Sequence, residues 1–485
     1  MSDYPFFGHI IDGVEVESVD GKRFDTINPW TREKWAEVAE ASAADADRAI
    51  ASARKAFDEG PWPRMGRNER AQLIHKLADL MEERSDELAR LDSTDMAKPF
   101  AQAKHDVARS VWNFRFFADH QRDHMGEVMP MDSGHHTYTE YGPAGVVAAI
   151  SPWNFPLMMA TWKIAPAIAW GNTCIIKPAE DTPASVVLLG RLAIEAGFPP
   201  GVLNVLNGFG VPAGSSLTGD PRVDRVTFTG ESGTGRIIMG AAAQNLTPVS
   251  LELGGKGANI VFEDAEIDNA VYWAVESIFR NAGQVCLAGS RLFVQSSIYE
   301  EFVARFKEAA EKLVIGEPFD PATQFSSLAS EEHFLKVKSY VDTVEEQGGK
   351  ILTGGVAEDG AWLVRPTIIT DLPLTATQYC QEIFGPVVVV NKFETEAEVV
   401  HLANDTPYGL NAMLFTENLS RAHRVASKLR AGTVWVNCFF IRDLRTPFGG
   451  VGDSGVGREG GNFSREFFTE PKAVVMQIDR RGPGA

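Results

Sequence analysis

Of the four cysteines in the chain, Cys286 has the surroundings that a nucleophile needs. It lies in Asn281-Ala-Gly-Gln-Val-Cys-Leu-Ala-Gly-Ser290, where small residues let a substrate approach and a turn can aim backbone N–H groups. A free thiol of pKa ~8.5 is only about 3 % thiolate at pH 7, so a reactive cysteine needs positive potential or a base beside it. The plain alternative is a small buried hydrophobe. Cys174 in Thr173-Cys-Ile-Ile and Cys438 in Val-Asn-Cys-Phe suit core positions, whereas Cys380, before Gln381-Glu382, is undecided. Glu252 interrupts the apolar run Ser250-Leu-Glu-Leu directly before Gly254-Gly255. A carboxylate so placed either faces solvent or sits in a cleft with a raised pKa, where it can act as a base. Asn154, between the prolines of Ser151-Pro-Trp-Asn-Phe-Pro156, is either a turn former or an amide whose N–H stabilises an oxyanion.

Two further stretches bear on ligands. Lys177-Pro-Ala-Glu180 offers an ammonium and a carboxylate three residues apart, able to bind the two hydroxyls of a ribose or simply to form a solvated loop. Thr229-Gly-Glu-Ser-Gly-Thr-Gly235 is glycine-rich without being G-x-G-x-x-G, and by itself points more to a plain strand-to-helix turn than to a cofactor site. No C-x-x-C pair, zinc spacing or H-E-x-x-H occurs, His135-His136 included, so no metal site is expected.

These residues need elements to hold them. Apolar residues at helical spacing predict amphipathic helices over Asp45 to Glu59 and Asn68 to Leu91. From Gly145 onward β-rich runs (Val146 to Ile150, Thr173 to Ile176, Leu203 to Val205, Arg225 to Phe228, Val249 to Leu251) alternate with helical stretches (Leu157 to Ala169, Pro183 to Ala196, Gly233 to Ala242), which implies βαβ crossovers and a parallel sheet. A second series, near Asn259 to Phe262, Arg291 to Val294, Val387 to Lys392 and Thr433 to Asn437, follows a boundary at residue 255. Gln121 to Glu140 breaks the helical pattern and, with Ala473 to Ile478, is expected to form an exposed β-flap that finds a partner chain.

With 485 residues the chain has room for about three domains at roughly 150 residues each. Its formal net charge of -19 repels polyanions, so nucleic acid is not an expected partner. The longest apolar windows are cut by Pro152, Lys163, Pro166 and Lys177, far short of the ~20 residues that span a bilayer. Without a basic, then apolar, N-terminus and with scattered cysteines, the expectation is a reduced, cytoplasmic protein.

Taken in order, Pro152-Trp-Asn-Phe-Pro156, Lys177-Pro-Ala-Glu180, Phe228-Thr-Gly230 with Gly235, Leu251-Glu-Leu-Gly-Gly255, Gly283-Gln-Val-Cys286, Glu382-Ile-Phe-Gly-Pro386 and Pro447-Phe-Gly-Gly450 resemble the aldehyde dehydrogenase superfamily over essentially the whole chain. The resemblance implies an α/β fold: a Rossmann-like cofactor domain (1–122 and 144–254), an α/β catalytic domain (255–454) and a small β oligomerisation flap (123–143 and 469–485), with 455–468 returning to the cofactor domain. It implies homodimers or homotetramers. It also makes Cys286 the nucleophile, Asn154 the oxyanion donor and Glu252 the base that releases an acid by hydrolysis. NAD is the implied cofactor, since Glu180 beside Lys177 at the adenine ribose would repel a 2′-phosphate. Glu382 is implied at the nicotinamide ribose with Phe384 nearby, and Ile150, Ser151, Pro152, Trp153, Gly210, Gly214, Phe228, Gly230, Gly235 and Leu253 complete the implied cofactor surface. Glu231 departs from the pattern, standing where many relatives have serine.

Arg109-Ser-Val-Trp-Asn-Phe-Arg-Phe-Phe117, Arg122-Asp-His-Met-Gly126, Ile441-Arg-Asp-Leu-Arg-Thr-Pro-Phe448 and Gly457-Arg-Glu-Gly-Gly461 are similar to the branch acting on hydroxymuconic and aminomuconic semialdehydes. Those substrates carry a carboxylate, and Arg109 with Arg442 or Arg445, beside Phe155, is the implied clamp. The alternatives are another aldehyde substrate, such as succinic semialdehyde or an unspecific aliphatic one, and a non-enzymatic member of the fold. Because a net -19 does not attract an anion over distance, selectivity must come from those local arginines.

Overall fold

Short apolar strands separated by helices assemble into two mainly parallel sheets. The computed structural model describes residues 4–123, 126–132, 134–357 and 361–478. In the first sheet the parallel order is Val249–Glu252, Arg225–Thr229, Val146–Ile150, Thr173–Lys177, Leu203–Val205. The chain starts at Val146–Ile150, builds outward to one side, then returns to build the other. Ligands in such sheets bind where the order reverses, outside the carboxyl ends of the strands, here beside Ile150 and Thr229. Helix Pro156–Ala169 begins on a proline at its first turn, and twelve of its residues are buried, Lys163 among them. Its apolar character on every side fits an element covered on every side.

The second sheet runs Val364–Thr370, Val387–Phe393, Arg291–Gln295, Ala258–Val261, Asn411–Phe415, Thr433–Val436, all parallel, with Lys350–Val356 antiparallel at one edge. After Thr433–Val436 the chain crosses back, and Gly455–Val456 pairs antiparallel with Leu251 and Glu252 of the first sheet. That crossover carries residues 437–454 over the cleft between the sheets.

Two expectations need correction. The helix read over Asn68 to Leu91 is two helices, Arg67–Glu83 and Ser85–Met96, broken at Arg84 (φ -101°, ψ 21°). The N-terminal region is also not only helical: Phe6–Phe7, Glu33–Ala39 and Arg23–Asn28 form a three-stranded sheet, and His9–Ile11 and Val14–Val16 extend the first large sheet. Helix Ala43–Asp58 does form, closed by a Ser42/Asp45 capping box that contributes about 1 kcal/mol. A further helix, Phe100–His120, places Arg109.

In the flap, Thr469–Gln477 pairs antiparallel with His135–Pro143 along nine residues, and Val128–Met129 adds a short third strand. Residues 124–125, 133 and 479–485 of the expected flap lie outside the described residues. Among the described residues, no helix is long and apolar enough to cross a membrane, and no cluster of His, Cys, Asp and Glu could hold a metal ion.

Candidate active site

The carboxyl ends of the first sheet face the loop that enters strand Arg291–Gln295 of the second. Between them opens a cleft of about 270 Å³, and Cys286, Glu252 and Asn154 all line it.

Asn154 is fixed from three directions. Its side-chain Nδ2 donates to the carbonyl of Gln284 (2.8 Å), two residues before Cys286, leaving a second N–H for the cleft. Its own carbonyl accepts from Asn281 Nδ2 (2.9 Å) and from the buried Lys98 ammonium (3.0 Å), which is also paired with Asp106 (2.6 Å). Asn281 and Ala282 hold left-handed backbone (φ 51° and 54°), a costly conformation stabilised by these side-chain bonds and by Gln284 Nε2 donating to the Asn281 carbonyl (3.0 Å). The turn therefore presents Cys286 beside the Asn154 amide in a preset geometry. Burial, then the charges of Glu382 and Glu252, push the Cys286 thiol up to about 12.

Glu252 ends its strand 2 % exposed, and neither carboxylate oxygen has a hydrogen-bond partner among the described residues. Burial, then the neighbouring Glu459 charge, hold its carboxyl well above the ordinary value. Glu459 itself is locked by Trp162 Nε1, by Lys163 Nζ (3.2 Å) and by Thr227 (3.2 Å). The buried Lys163–Glu459 pair behind Glu252 escapes the motif reading. A lone lysine inside the otherwise apolar helix Pro156–Ala169 was the available signal, because a buried ammonium needs a partner.

Gly449 leaves the room that the Glu252 carboxylate occupies. A Cβ there would lie 2.7 Å from Glu252 Oε1 and 3.0 Å from the Gly457 carbonyl, and the residue sits at φ +143°. Gly449→Ala is expected to displace the carboxylate, lowering kcat about 10-fold or more and stability by about 1–3 kcal/mol. Steady-state kinetics with thermal unfolding measures both, and an unchanged kcat would show that Glu252 does not work from this position.

At the other end of the cleft, Glu382 accepts from the Gly255 N–H (2.9 Å), and burial pushes its carboxyl up to about 7. Gly254 makes this approach possible, since a Cβ there would fall 1.9 Å from Glu382 Oε2. Phe384, at φ 61°, packs edge-on against Trp153 (5.4 Å), while His333, another residue missed from sequence, lies against Trp153 (4.8 Å) and bonds the Phe384 carbonyl through Nε2 (2.7 Å). Burial pushes His333 down to about 4, so the neutral ring donates that bond.

Pro152, Trp153, Gly230, Glu231, Leu253, Glu382 and Phe384 line the cleft, as does Phe155; the remaining expected cofactor residues do not. A Cβ on Gly214 would lie 3.6 Å from Lys177 Cδ and 4.0 Å from Ile150 Cδ1, so these three meet in one place. Lys177 is buried, its ammonium 3.3 Å from Glu180, and burial lowers it below the ordinary lysine value. Gly210 and Gly233 face open space, whereas the Phe228 ring covers Gly230 and Leu253 covers Gly235. Ser151 is buried, its N–H donating to the Lys177 carbonyl (3.1 Å). Open glycines where helical turns begin after strands, a lysine–glutamate pair and the buried Glu382 carboxylate fit an extended dinucleotide.

Residues 16–474 match the model of the aldehyde dehydrogenase family. The chain belongs to that family. It is 46% identical over 483 residues to the 2-hydroxymuconic semialdehyde dehydrogenase of Pseudomonas sp. strain CF600, covering 97% of this chain and 99% of that one. It is 45% identical to an aldehyde dehydrogenase of Emericella nidulans, with 97% and 95% covered. Among solved structures, the NAD+ complex of an aldehyde dehydrogenase from Bacillus cereus superposes with a TM-score of 0.96 at 41% identity, with 98% and 97% covered. The fold is thus that of an aldehyde dehydrogenase.

In this aldehyde dehydrogenase the three expected substrate arginines part company. Arg442 lines the cleft. Arg445 does not: its side chain is 76% exposed and its guanidinium is held by Asp443 (2.6 Å), because the loop turns back between the two. Arg109 lies outside the lining, half-buried, near enough to Arg442 and Asp443 to act on their charges. Of the other cysteines, Cys174 is buried as expected, Cys380 is exposed, and Cys438 is only partly buried rather than in the core.

Proposed function

We propose that this aldehyde dehydrogenase uses NAD to oxidise a conjugated semialdehyde carrying a distal carboxylate, of the hydroxymuconic type released by aromatic ring cleavage. Arg442 carries the reading. Its guanidinium is clamped between the rings of Trp162 (3.9 Å) and Phe448 (3.7 Å), and its Nε and Nη2 are shielded from water without a hydrogen-bond partner among the described residues. Burial, then Arg109, push it down to about 9. Unmet N–H groups on a buried cation are costly, and a carboxylate meets two of them at once. The stacked pair Phe155 and Phe440 (6.5 Å, 24°) gives flat apolar walls suited to a conjugated chain. The 2-hydroxymuconic semialdehyde dehydrogenase named above supports the same class.

In the reaction, Cys286 Sγ bonds to the aldehyde carbon as its proton leaves to a base. The resulting thiohemiacetal oxyanion takes N–H groups from the Asn154 amide and the Cys286 backbone. NAD, held by Lys177, Glu180 and Glu382, supplies the hydride acceptor when bound. Loss of hydride from the carbonyl carbon leaves a thioester on Cys286. Glu252 then takes a proton from water, which attacks that thioester and frees the acid and the thiol. In this reading the cofactor, catalytic and flap segments keep the boundaries taken from sequence, and the flap has the role of pairing subunits into dimers or tetramers, which the exposed Val475 (59%) and Met476 (44%) support.

The test compares kcat/KM for a carboxylated and an uncharged aldehyde of equal length in wild type, Arg442→Met and Arg445→Met. Arg442→Met is expected to lose about 10- to 100-fold on the anion and little on the uncharged aldehyde, with Arg445→Met near wild type. An equal loss on both substrates overturns the clamp.

A further inference from the structure

Glu231 caps helix Ser232–Ala243 with extended backbone (φ -69°, ψ 146°), yet its side chain makes no capping bond. Its carboxylate crosses the cleft instead and pairs with Lys336 on helix Glu331–Asp342. The two side chains are 66% and 38% exposed, and both line the cleft that contains Glu382 and Cys286, so the pair spans the opening between its two walls. Glu332, one helical turn before Lys336, adds a second carboxylate to this rim. Beneath it the first helical turn is open, with Gly233 exposed and nothing within 4 Å of where its Cβ would stand.

A dinucleotide held by Lys177, Glu180 and Glu382 would bring its pyrophosphate towards this helix N-terminus, which favours an anion. Glu231 is a like charge already seated there. An ammonium that can pair with only one anion at a time links the two events: pyrophosphate arrival draws on Lys336, and its departure is favoured by return of the carboxylate.

We propose that Glu231 and Lys336 form a release latch on the cofactor site. The open pair accommodates the bound dinucleotide, and closure of the pair speeds its exit, which sets turnover where release is the slow step. The latch rests on the dinucleotide reading and is independent of which aldehyde is oxidised.

NADH fluorescence titration and stopped-flow release on the full-length enzyme test it without any aldehyde present. Glu231→Ser and Glu231→Gln are expected to bind NADH about three- to tenfold tighter and to release it correspondingly more slowly, the scale of one exposed like charge. Lys336→Met, which leaves Glu231 unpaired, is expected to bind at least about threefold more weakly. The same change made in the Glu231→Ser background is expected to cost less. Affinities of both Glu231 variants within twofold of wild type, or weaker, overturn the latch; the weaker outcome would make the carboxylate a cofactor ligand. Failure of wild type and every variant to bind NADH overturns the dinucleotide reading as well, and so separates the two failures.

Discussion

Cys286→Ala is expected to abolish NADH formation, lowering kcat/KM by on the order of 10⁴-fold or more, because the thioester route needs a thiol at the aldehyde carbon and Cys286 is the one cysteine among the described residues lining the cleft. Glu252 is assigned to water in the proposed reaction, Asn154 is a neutral amide, and Cys174, Cys380 and Cys438 do not line the cleft. The variant also isolates the thiol from the scaffold. Cys286 sits on a turn whose shape is set by Asn281, Gln284 and Asn154 rather than by its own side chain. Losing one sulfur there is expected to change stability by less than about 1 kcal/mol. Cofactor affinity is expected to stay within a few-fold of wild type, since Lys177, Glu180 and Glu382 are untouched. Dehydrogenase assays beside NADH titration and thermal unfolding read all three. Turnover persisting in Cys286→Ala would refute the covalent route, whereas lost NADH binding would mean that the substitution had disturbed the cleft itself.

The turn around Cys286 also shows what the sequence could and could not convey. Asn154, Glu252 and Cys286 are far apart in the chain; taken alone, a structural explanation was the better one for Cys286 and Asn154 and as good for Glu252, and only their joint order with the other motifs placed them in one site. The parallel strands were readable because buried strands are short apolar runs closed by glycine or proline, as at Val146–Ile150 and Thr173–Lys177. Lys350–Val356 mixes exposed and half-buried residues along its length, and Glu33–Ala39 buries only Ala36, Val38 and Ala39, two of them alanines, which dilutes the alternation that would have revealed them. The helix break at Arg84 carries no glycine or proline and depends on tertiary packing. Long-range polar partners were the least readable: Lys163 meets Glu459, and Lys98 meets the Asn154 carbonyl, through contacts between residues 56 or more positions apart in the chain. Arg442 and Arg445 are three residues apart in a loop without periodicity. The left-handed backbone at Phe440 (φ 62°) and the Asp443–Arg445 pair belong to the loop path that sends one inward and the other out.

Replacing Glu252 by glutamine is expected to separate the two halves of the reaction. The carboxylate is buried, without a hydrogen-bond partner among the described residues, and its carboxyl is held well above the ordinary range by burial and by Glu459. The basic form therefore accumulates only above the usual carboxylate range, and the hydrolytic step should speed up as pH rises through that raised value. Glutamine cannot take the proton from water, so steady-state kcat should fall by about 10²- to 10⁴-fold, and this rising limb should vanish. Thioester formation should survive. Glu252 is one of the charges that push the Cys286 thiol upward, and a neutral glutamine lowers that opposition, making the thiolate easier to form. Rapid mixing of Glu252→Gln with NAD and aldehyde should thus release one NADH per active site, followed by near-arrest. Mass spectrometry should then find the acyl group on Cys286. A wild-type kcat with an unchanged pH profile would remove Glu252 from hydrolysis. Loss of the burst together with kcat would instead make Glu252 the base for the thiol, with the raised pKa values of Cys286 and Glu252 belonging to one shared proton.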